Sequence, residues 1–208
     1  MSTRDKILRA ADSMFGELGF EAASTRQIAE RSGVNKALIH YHFRTKEELW
    51  GAVLDRYYER LGALLRGPLQ ADGDLRERLG RLLDGYVDFL AENRSFSNMV
   101  QREVAGGRHV ERIRAHMAPL FELGSSLVEQ AWPAARGASP LAAPQLMISF
   151  YGMVVTLFTY SPVLDGLLGR DPLGADSLEA RKRHLHRMLD LTLAALQQED
   201  RANHEEKI

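Results

Sequence analysis

Five basic side chains lie between residues 24 and 46 of this 208-residue chain, and Glu30 is the one acidic side chain in that stretch. Five positive charges against one negative give a local net charge of +4, whereas the formal net charge of the chain is −1. Clustered cations bind phosphate groups, which dominate the affinity of proteins for nucleic acid. The stretch therefore indicates binding to a nucleic-acid backbone, although a merely solvated surface could carry the same charges. The five cations are Arg26, Arg31, Lys36, Arg44 and Lys46.

Other chemistries have little support in the sequence. The chain has no cysteine, which excludes disulfides, thiolate metal sites and cysteine nucleophiles. The pairs His40/His42 and His184/His186 are two residues apart, so on a helix each pair points to opposite sides and cannot share a metal. Glycine-rich phosphate loops, zinc-protease motifs and nucleophile elbows are also missing from the sequence. We therefore expect no catalytic residue, no metal site and no cofactor, and the chain is not predicted to be an enzyme.

The elements that must position the basic stretch are helices. Apolar residues recur at helical spacing and strand-like alternation is lacking, which predicts an all-α fold of about nine helices. Within the stretch, two short helices are separated by a turn at Gly33, and Thr25 and Asn35 are the expected N-caps. Thr45 is expected to cap a long helix that runs to about residue 65. Two short helices joined in this way form a helix-turn-helix, whose second helix can enter the major groove of DNA.

Helices are also predicted before and after this stretch. The first helix is expected to start with a capping box formed by Ser2 and Asp5 and to end at Gly19. Further helices are predicted near residues 75–93, 95–105, 110–132, 141–168 and 178–198.

The segment TRQIAERSGVNKALIHYHF at residues 25–43, followed by KEEL at 46–49, resembles the signature of the TetR family of transcriptional regulators. The resemblance covers about residues 1–60 and implies a three-helix, TetR-type DNA-binding domain there, with the helix-turn-helix at about 24–43. It implies that residues 61–208 form a larger helical domain for ligand binding and dimerisation.

The resemblance also implies contacts with the bases. Arg26 would reach a guanine edge or a phosphate, and a bidentate contact to a base contributes about 1–3 kcal/mol of discrimination. Asn35 caps the recognition helix, whose first residues would face base edges. Those residues are Lys36, Ala37 and Leu38.

The remaining implied contacts are with phosphates. Thr25 would meet one at a helix N-terminus, where free amides favour anions, and Lys46 would add another. His40, Tyr41 and His42 would lie along the phosphate backbone. The family usually has tyrosine where this sequence has His40; a histidine can still donate to a phosphate, or it could instead pack against the first helix.

One segment is uncharged for longer than a bilayer crossing requires, because no charged residue lies between Arg136 and Asp165. However, Pro144 and Pro162 interrupt this segment, and its dense apolar part is short. A helix buried on all sides is the preferred interpretation, with a membrane span as the alternative. The start of the sequence lacks an apolar signal region, which predicts a cytoplasmic protein without membrane contact.

A homodimer is expected, because a single recognition helix reads too few bases to be specific and two copies could bind a palindromic or pseudopalindromic double-stranded operator. Two apolar surfaces could form the interface, although they could instead complete the core of one chain. The predicted interface residues are Leu146, Phe150, Val154, Leu185, Met188, Leu189, Thr192 and Leu196.

Regulators of this kind usually respond to a small molecule and most often repress transcription. We expect a mostly apolar pocket, which favours a small hydrophobic or aromatic effector. Bulky residues with a polar tip are the candidates for its lining, although each could be ordinary core. They are Met99, Arg102, Glu103, His116, Trp132, Tyr151, Met153 and Tyr160. The alternative function is an all-helical interaction adaptor that no longer binds DNA.

Overall fold

The computed structural model describes residues 1–107 and 109–205. In this part of the chain there are ten α-helices, one 3₁₀ turn and no β-strand, as the prediction of an all-α fold requires. The helices are α1 (Thr3–Ala22), α2 (Thr25–Ser32), α3 (Lys36–His42), α4 (Lys46–Gln70), α5 (Leu75–Glu92), α6 (Arg94–Ala105), α7 (Val110–Ala131), α8 (Ala143–Thr159), α9 (Ser161–Leu168) and α10 (Ala175–Glu205), with the 3₁₀ turn at Pro133–Ala135.

The start of α1 is a capping box. The amide of Asp5 donates to the hydroxyl of Ser2, and the Asp5 carboxylate accepts from the amide of Ser2. Gly19 has φ of 81° and interrupts the helix, as predicted, but one further turn follows it to Ala22. A positive φ of this kind is readily available only to glycine.

The chain forms two compact units. Residues 1–61 and 92–116 form the first, whereas residues 62–91 and the chain from 117 onward form the second. This division differs from the predicted boundary between residues 60 and 61, because α6 and the start of α7 return to the first unit. The reason lies in close packing of α6 on α1, where a Cβ atom added to Gly16 would lie only 2.8 Å from the Cβ of Ser95.

The first unit has an aromatic core in which Phe15, Trp50 and Phe96 are buried. Beside it, the hydroxyl of Tyr57 on α4 donates to the carboxylate of Asp12 on α1, at 2.7 Å from either oxygen. Burial raises the pKa of Asp12, although the hydrogen bond from Tyr57 opposes this effect. Burial also raises the pKa of the Tyr57 phenol.

In the second unit, ionic contacts link α10 to α5. The guanidinium of Arg76 contacts the carboxylate of Asp190 through two hydrogen bonds of 2.7 and 3.2 Å. Lys182 pairs with Asp88 at 2.7 Å in the same region. Both pairs tie α10 to α5.

Four residues predicted at a dimer interface lie instead in the core of the chain, so the prediction was wrong for them. They are Val154, Leu185, Leu189 and Leu196, all of them at most 4% exposed. The apolar stripe of α10, formed by Leu185, Leu189 and Leu196, has the spacing of a helix face buried within its own unit. The other four, Leu146, Phe150, Met188 and Thr192, are partly exposed, and their place in an interface stays a prediction.

The single helix predicted at 141–168 is two helices, α8 and α9, bent by 78° at Tyr160. Pro162 has no amide proton to donate to the carbonyl of Phe158, and the hydroxyl of Ser161 donates to that carbonyl instead at 3.1 Å. No single helix among the described residues is long and apolar enough to cross a membrane, and only this bent pair reaches the required length and composition. The helix is also not buried on all sides, since Ile148 is 57% exposed.

Candidate nucleic-acid interface

The second helix starts one residue earlier than predicted. Ser24 is its N-cap, because its hydroxyl accepts from the amide of Gln27 and the Gln27 side chain accepts from the amide of Ser24, at 3.2 and 3.0 Å. The prediction that Thr25 is the cap was therefore wrong. Thr25 is the first helical residue, with a partly exposed side chain at the end of α2 where free amides lie.

The turn between α2 and α3 depends on Gly33. Its φ of 66° and ψ of 28° are left-handed, and its amide donates to the carbonyls of Ala29 and Glu30. A Cβ atom here would meet nothing within 4 Å, so glycine is required for the backbone conformation and not for space. Asn35 then caps α3, as predicted, by accepting from the amide of Ala37 at 2.9 Å.

The third helix is attached to the first unit by one side chain. Ile39 is its one buried residue, and the buried Phe43 follows directly. The predicted base-facing residues are all exposed: Lys36, Ala37 and Leu38. A helix of seven residues held by one anchor presents most of its surface to solvent, as a recognition helix must.

The aromatic end of α3 also faces outward. Tyr41 is 80% exposed, although large aromatic side chains are usually buried. His40 is exposed too, so the alternative in which it packs against the first helix was wrong. His42 is partly buried, with its ring 5.2 Å from that of Tyr41.

The five cations of the basic stretch do not share one role. Arg31 lies 2.6 Å from the carboxylate of Glu17 on α1, and hydrogen bonding from Arg31 lowers the pKa of that carboxyl. Arg26 pairs with Glu30 one turn further along α2 at 3.0 Å, with both side chains mostly exposed. Lys36 and Arg44 have no ion-pair partner among the described residues and are exposed.

Lys46 is engaged inside the first unit. Its ammonium group lies 3.0, 3.3 and 3.2 Å from the carbonyl oxygens of Phe20, Glu21 and Ala23, where α1 ends. It also lies 4.4 Å from the centre of the Phe20 ring. A cation is favoured at the C-terminal end of a helix, where carbonyl oxygens lack partners. The sequence predicted a phosphate contact for Lys46 and missed this partner.

Two further exposed cations, Arg44 and Arg4, lie near the end of α3, and neither was individually predicted to contact DNA. Arg44 belongs to the basic stretch and lies two residues after the end of α3. Arg4 is exposed at the start of α1, and its guanidinium lies 5.2 Å from the centre of the Phe43 ring. No sequence signal could have placed Arg4 there, because the contact joins segments about forty residues apart.

Four of the eight effector candidates belong to the first unit, and they have partners there. Met99 and Glu103 are buried. Arg102 donates to the carbonyls of Gly16 and Glu17 on α1 at 3.4 Å. His116 contacts the carboxylate of Asp55 at 2.7 Å.

The other four candidates belong to the second unit, and so the structure places the eight in two units. Trp132 precedes the 3₁₀ turn, and Tyr160 is 56% exposed. Tyr151 stacks on Tyr86 with ring centres 6.4 Å apart, and burial raises the pKa of its phenol. The carbonyl of Met153 accepts from Arg181.

Arg181 itself is a residue that sequence analysis missed. Its Nε atom is buried and has no hydrogen-bond partner, and no carboxylate of a described residue lies within ion-pair distance of its guanidinium. Burial lowers the pKa of Arg181. Buried charges are normally paired, which makes this guanidinium a candidate donor to an anionic group.

Comparison with known proteins gives sequence matches for the N-terminal part of the chain. Residues 7–53 match the family described as "Bacterial regulatory proteins, tetR family". The HTH-type transcriptional activator FasR of Mycolicibacterium smegmatis is 37% identical over 87 residues, which are 42% of this chain and 40% of that protein. The HTH-type transcriptional repressor Rv3405c of Mycobacterium tuberculosis is 47% identical over 87 residues, 38% of this chain and 46% of that protein. The chain thus spans under half the length of these curated relatives.

Solved structures extend the likeness in fold to most of the chain. The fatty acid degradation regulator FadR from Bacillus halodurans superposes with a TM-score of 0.72 at 20% identity, over 91% of this chain and 95% of that one. At this identity the likeness concerns the fold alone.

Proposed function

We propose that this chain, whose residues 7–53 match the tetR family of bacterial regulatory proteins, is a sequence-specific DNA-binding repressor that acts as a homodimer. The observation that carries the proposal is the short helix α3, held by Ile39 while Lys36, Ala37, Leu38 and Tyr41 face solvent. An all-helical adaptor that no longer binds DNA is the alternative, and the DNA-binding test below separates the two.

In the proposed complex α3 lies in the major groove, with its first residues at the base edges. Arg26 reaches the DNA by exchanging its contact with Glu30 for one with a base or a phosphate. Thr25, Arg44 and the side chains of His40 to His42 contact phosphates on either side. Repression then follows from occupation of a promoter.

The homodimer is supported by apolar side chains left exposed in the second unit. On α8 and α9 these include Ile148 at 57%, Val163 at 58% and Leu167 at 75% exposure, and on α10 Leu191 is 47% exposed. Large apolar patches on a chain mark surfaces that are covered in the assembly. A twofold dimer would carry two copies of α3 to half-sites of a palindromic or pseudopalindromic operator.

The test is selection of bound fragments from genomic DNA, followed by gel shifts of a selected fragment over a series of salt concentrations. A regulator of this kind should lose affinity steeply as salt rises, because phosphate contacts release counterions. A folded chain that shifts no fragment at any salt concentration would instead be the adaptor.

For the effector, we propose a small hydrophobic or aromatic molecule that carries an acidic group. Support comes from Arg181, a partly buried cation without a carboxylate partner, and from the stacked rings of Tyr86 and Tyr151 in the same unit. Such a ligand can weaken DNA binding only if it binds one conformation of the dimer better than the other.

Thermal-shift measurements with a panel of aliphatic and aromatic acids, each paired with its neutral amide, test this proposal. An effector should raise the unfolding midpoint of the wild type, its amide should not, and Arg181→Gln should abolish the difference. Arg183→Gln, an exposed neighbour on α10, is the control. Equal responses to acid and amide would refute the acidic group.

A further inference from the structure

The first two turns of α7 lie against α4 through three polar side chains at successive turns. The ring of His109, which precedes α7, stacks on Trp50 with centres 4.3 Å apart. One turn later, the Nε and Nη2 atoms of Arg112 donate to the two carboxylate oxygens of Asp55 at 3.0 and 2.5 Å.

After one more turn the contact continues with His116. Its Nε2 atom lies 2.7 Å from the Asp55 oxygen that Arg112 Nε also contacts. Its ring lies parallel to that of Tyr58, with centres 4.7 Å apart. We call this set of contacts, from His109, Arg112 and His116 to α4, the α4–α7 clamp.

Gly51 on α4 makes the clamp possible. A Cβ atom at this position would lie 2.5 Å from the central carbon of the Arg112 guanidinium and 2.7 and 2.8 Å from its two terminal nitrogens. These distances are too short for real contacts, so the guanidinium lies flat on the backbone of α4 where only glycine leaves room. The helix itself does not require glycine at this position, because Gly51 lies within α4 and alanine is the better helix former.

His109 is held in place from several sides. It has φ of 52°, the one positive value among the described residues other than glycine. Its Nδ1 atom lies 2.8 Å from the carboxylate of Glu103, a side chain that is 2% exposed. Its carbonyl accepts from the amides of Arg112 and Ile113 and so starts α7. An uncommon backbone conformation persists only where the surroundings fix it. The position of the His109 ring on Trp50 is therefore fixed by the fold around it.

The geometry points to the α4–α7 clamp as the device that sets the DNA affinity of the recognition helix, an inference that rests on the proposed function. α4 begins four residues after α3 ends, so a shift of α4 moves α3 with it. The Arg112–Asp55 ion pair is the exposed part of the clamp, with Arg112 45% and Asp55 32% exposed. This pair can break and re-form without opening the core, whereas the stacking of His109 on the buried Trp50 stays in place.

The clamp should favour DNA binding because it restricts the orientations that α4 can adopt before DNA is bound. Two recognition helices must be held about one helical turn of DNA apart. A loose α4 has to be ordered when the DNA binds, and that loss of freedom lowers affinity. Any change that shifts α7 along α4 would then reach α3 through these three side chains.

The experiment measures affinity for a fragment selected with the wild type, together with the thermal unfolding midpoint of every variant. Arg112→Gln removes the charge, and Gly51→Ala displaces the guanidinium while leaving every charged residue in place. Each should weaken binding by more than about threefold. Arg114→Gln is the matched control, since its ion pair with Glu111 lies exposed along α7 alone, and it should bind like the wild type.

The double variant makes the test specific. If Gly51→Ala acts by displacing Arg112, it should add nothing in the Arg112→Gln background, since neighbouring sites that share one interaction are not additive. Losses below about threefold, or losses that add fully in the double variant, would overturn the inference. If Gly51→Ala unfolds the chain, the affinities of Arg112→Gln and Arg114→Gln for the fragment still test the inference. A wild type that binds no fragment would instead contradict the proposed function.

Discussion

The ammonium group of Lys46 contacts three carbonyl oxygens at the end of α1, so its loss should be felt in folding. Charge-assisted hydrogen bonds of this kind contribute about 1–3 kcal/mol. We predict that Lys46→Ala lowers the free energy of unfolding by about that amount, measured by urea denaturation. If Lys46→Ala is as stable as the wild type but makes DNA binding less dependent on salt, the residue binds phosphate as the family resemblance implied.

Lys36 provides the contrasting case, because its side chain is exposed on α3 and has no ion-pair partner among the described residues. Lys36→Ala should change the free energy of unfolding by less than about 0.5 kcal/mol. It should weaken DNA binding and reduce the slope of log affinity against log salt by about one unit. An unchanged slope in gel shifts would place Lys36 away from the DNA.

Two carboxyl groups in the first unit should respond to acid in opposite ways. Burial alone would raise the pKa of Asp55, but hydrogen bonds from Arg112 and His116 lower it below the ordinary value of 3.8. Asp55 therefore stabilises the fold above that value, and the contribution is lost as pH falls through the lowered pKa. The stability difference between wild type and Asp55→Asn should shrink below about pH 4.

For Asp12, burial raises the pKa above 3.8. The folded state then binds the proton more readily than the unfolded state, so this group adds stability as pH falls through its raised pKa. Relative to Asp12→Asn, the wild type should gain stability on acidification. Urea denaturation at several values between about pH 3 and pH 7 measures how the free energy of unfolding of each variant differs from that of the wild type. If both differences change with pH in the same way, the opposite pKa directions given for Asp55 and Asp12 are wrong.

At this scale the exposure of Leu38 and Tyr41 on α3 follows from the family resemblance and not from residue type, because both side chains would also fit a core. The sequence does not predict the partners of Lys46, Arg31 or Arg102, because each partner lies on another helix and ionic contacts leave no periodic signal. The Ser24 cap is predictable from the sequence, since Gln27 three residues later completes a capping box.

At the scale of elements, the turn between α2 and α3 depends on the backbone conformation of Gly33. A side chain at left-handed φ and ψ costs about 1–2 kcal/mol, and space is not limiting here. Gly33→Ala should lower the free energy of unfolding by about 1 kcal/mol, and Gly33→Asn by less, because asparagine tolerates this conformation.

The control is Gly67→Ala, because this glycine also has nothing within 4 Å of an added Cβ atom but lies in α4 without a positive φ. This change should leave stability equal or raise it by up to about 1 kcal/mol. Chemical denaturation compares the variants. Equal effects at the two positions would show that the turn does not depend on its left-handed residue.

The helices themselves are largely predictable from periodicity and caps, as α1, α5, α6 and α7 show. Their ends and breaks are less so. α4 continues to Gln70 although Pro68 lies in its last turn, and Arg78 donates to the carbonyls of Pro68 and Leu69 there. Such capping from a later helix is invisible to local sequence rules.

At the scale of the molecule, the exposed apolar side chains of α8 and α10 make the dimer testable. Ile148→Glu combined with Leu191→Glu should convert a dimer to monomers, because a buried unpaired carboxylate is costly. Analytical ultracentrifugation measures the mass. Leu38→Glu, at an exposed apolar position on α3, should keep the dimer and lose DNA binding. A double variant that remains dimeric would place the interface elsewhere.

The division of the chain into two units could not be predicted from composition. Residues 92–116 resemble the rest of the helical chain, and only packing of α6 on α1 assigns them to the first unit. The apolar stripe of α10 shows the same limit, because a buried core face and a dimer face have one and the same spacing.

The return of α6 and the start of α7 to the first unit matters for protein engineering. A hybrid regulator that grafts residues 1–61 onto a foreign effector domain would leave Phe96, Met99 and the clamp residues behind. The grafted piece would expose the surfaces that those residues cover and aggregate. A graft that also carries residues 92–116, and therefore has additional junctions with the foreign domain, should remain folded.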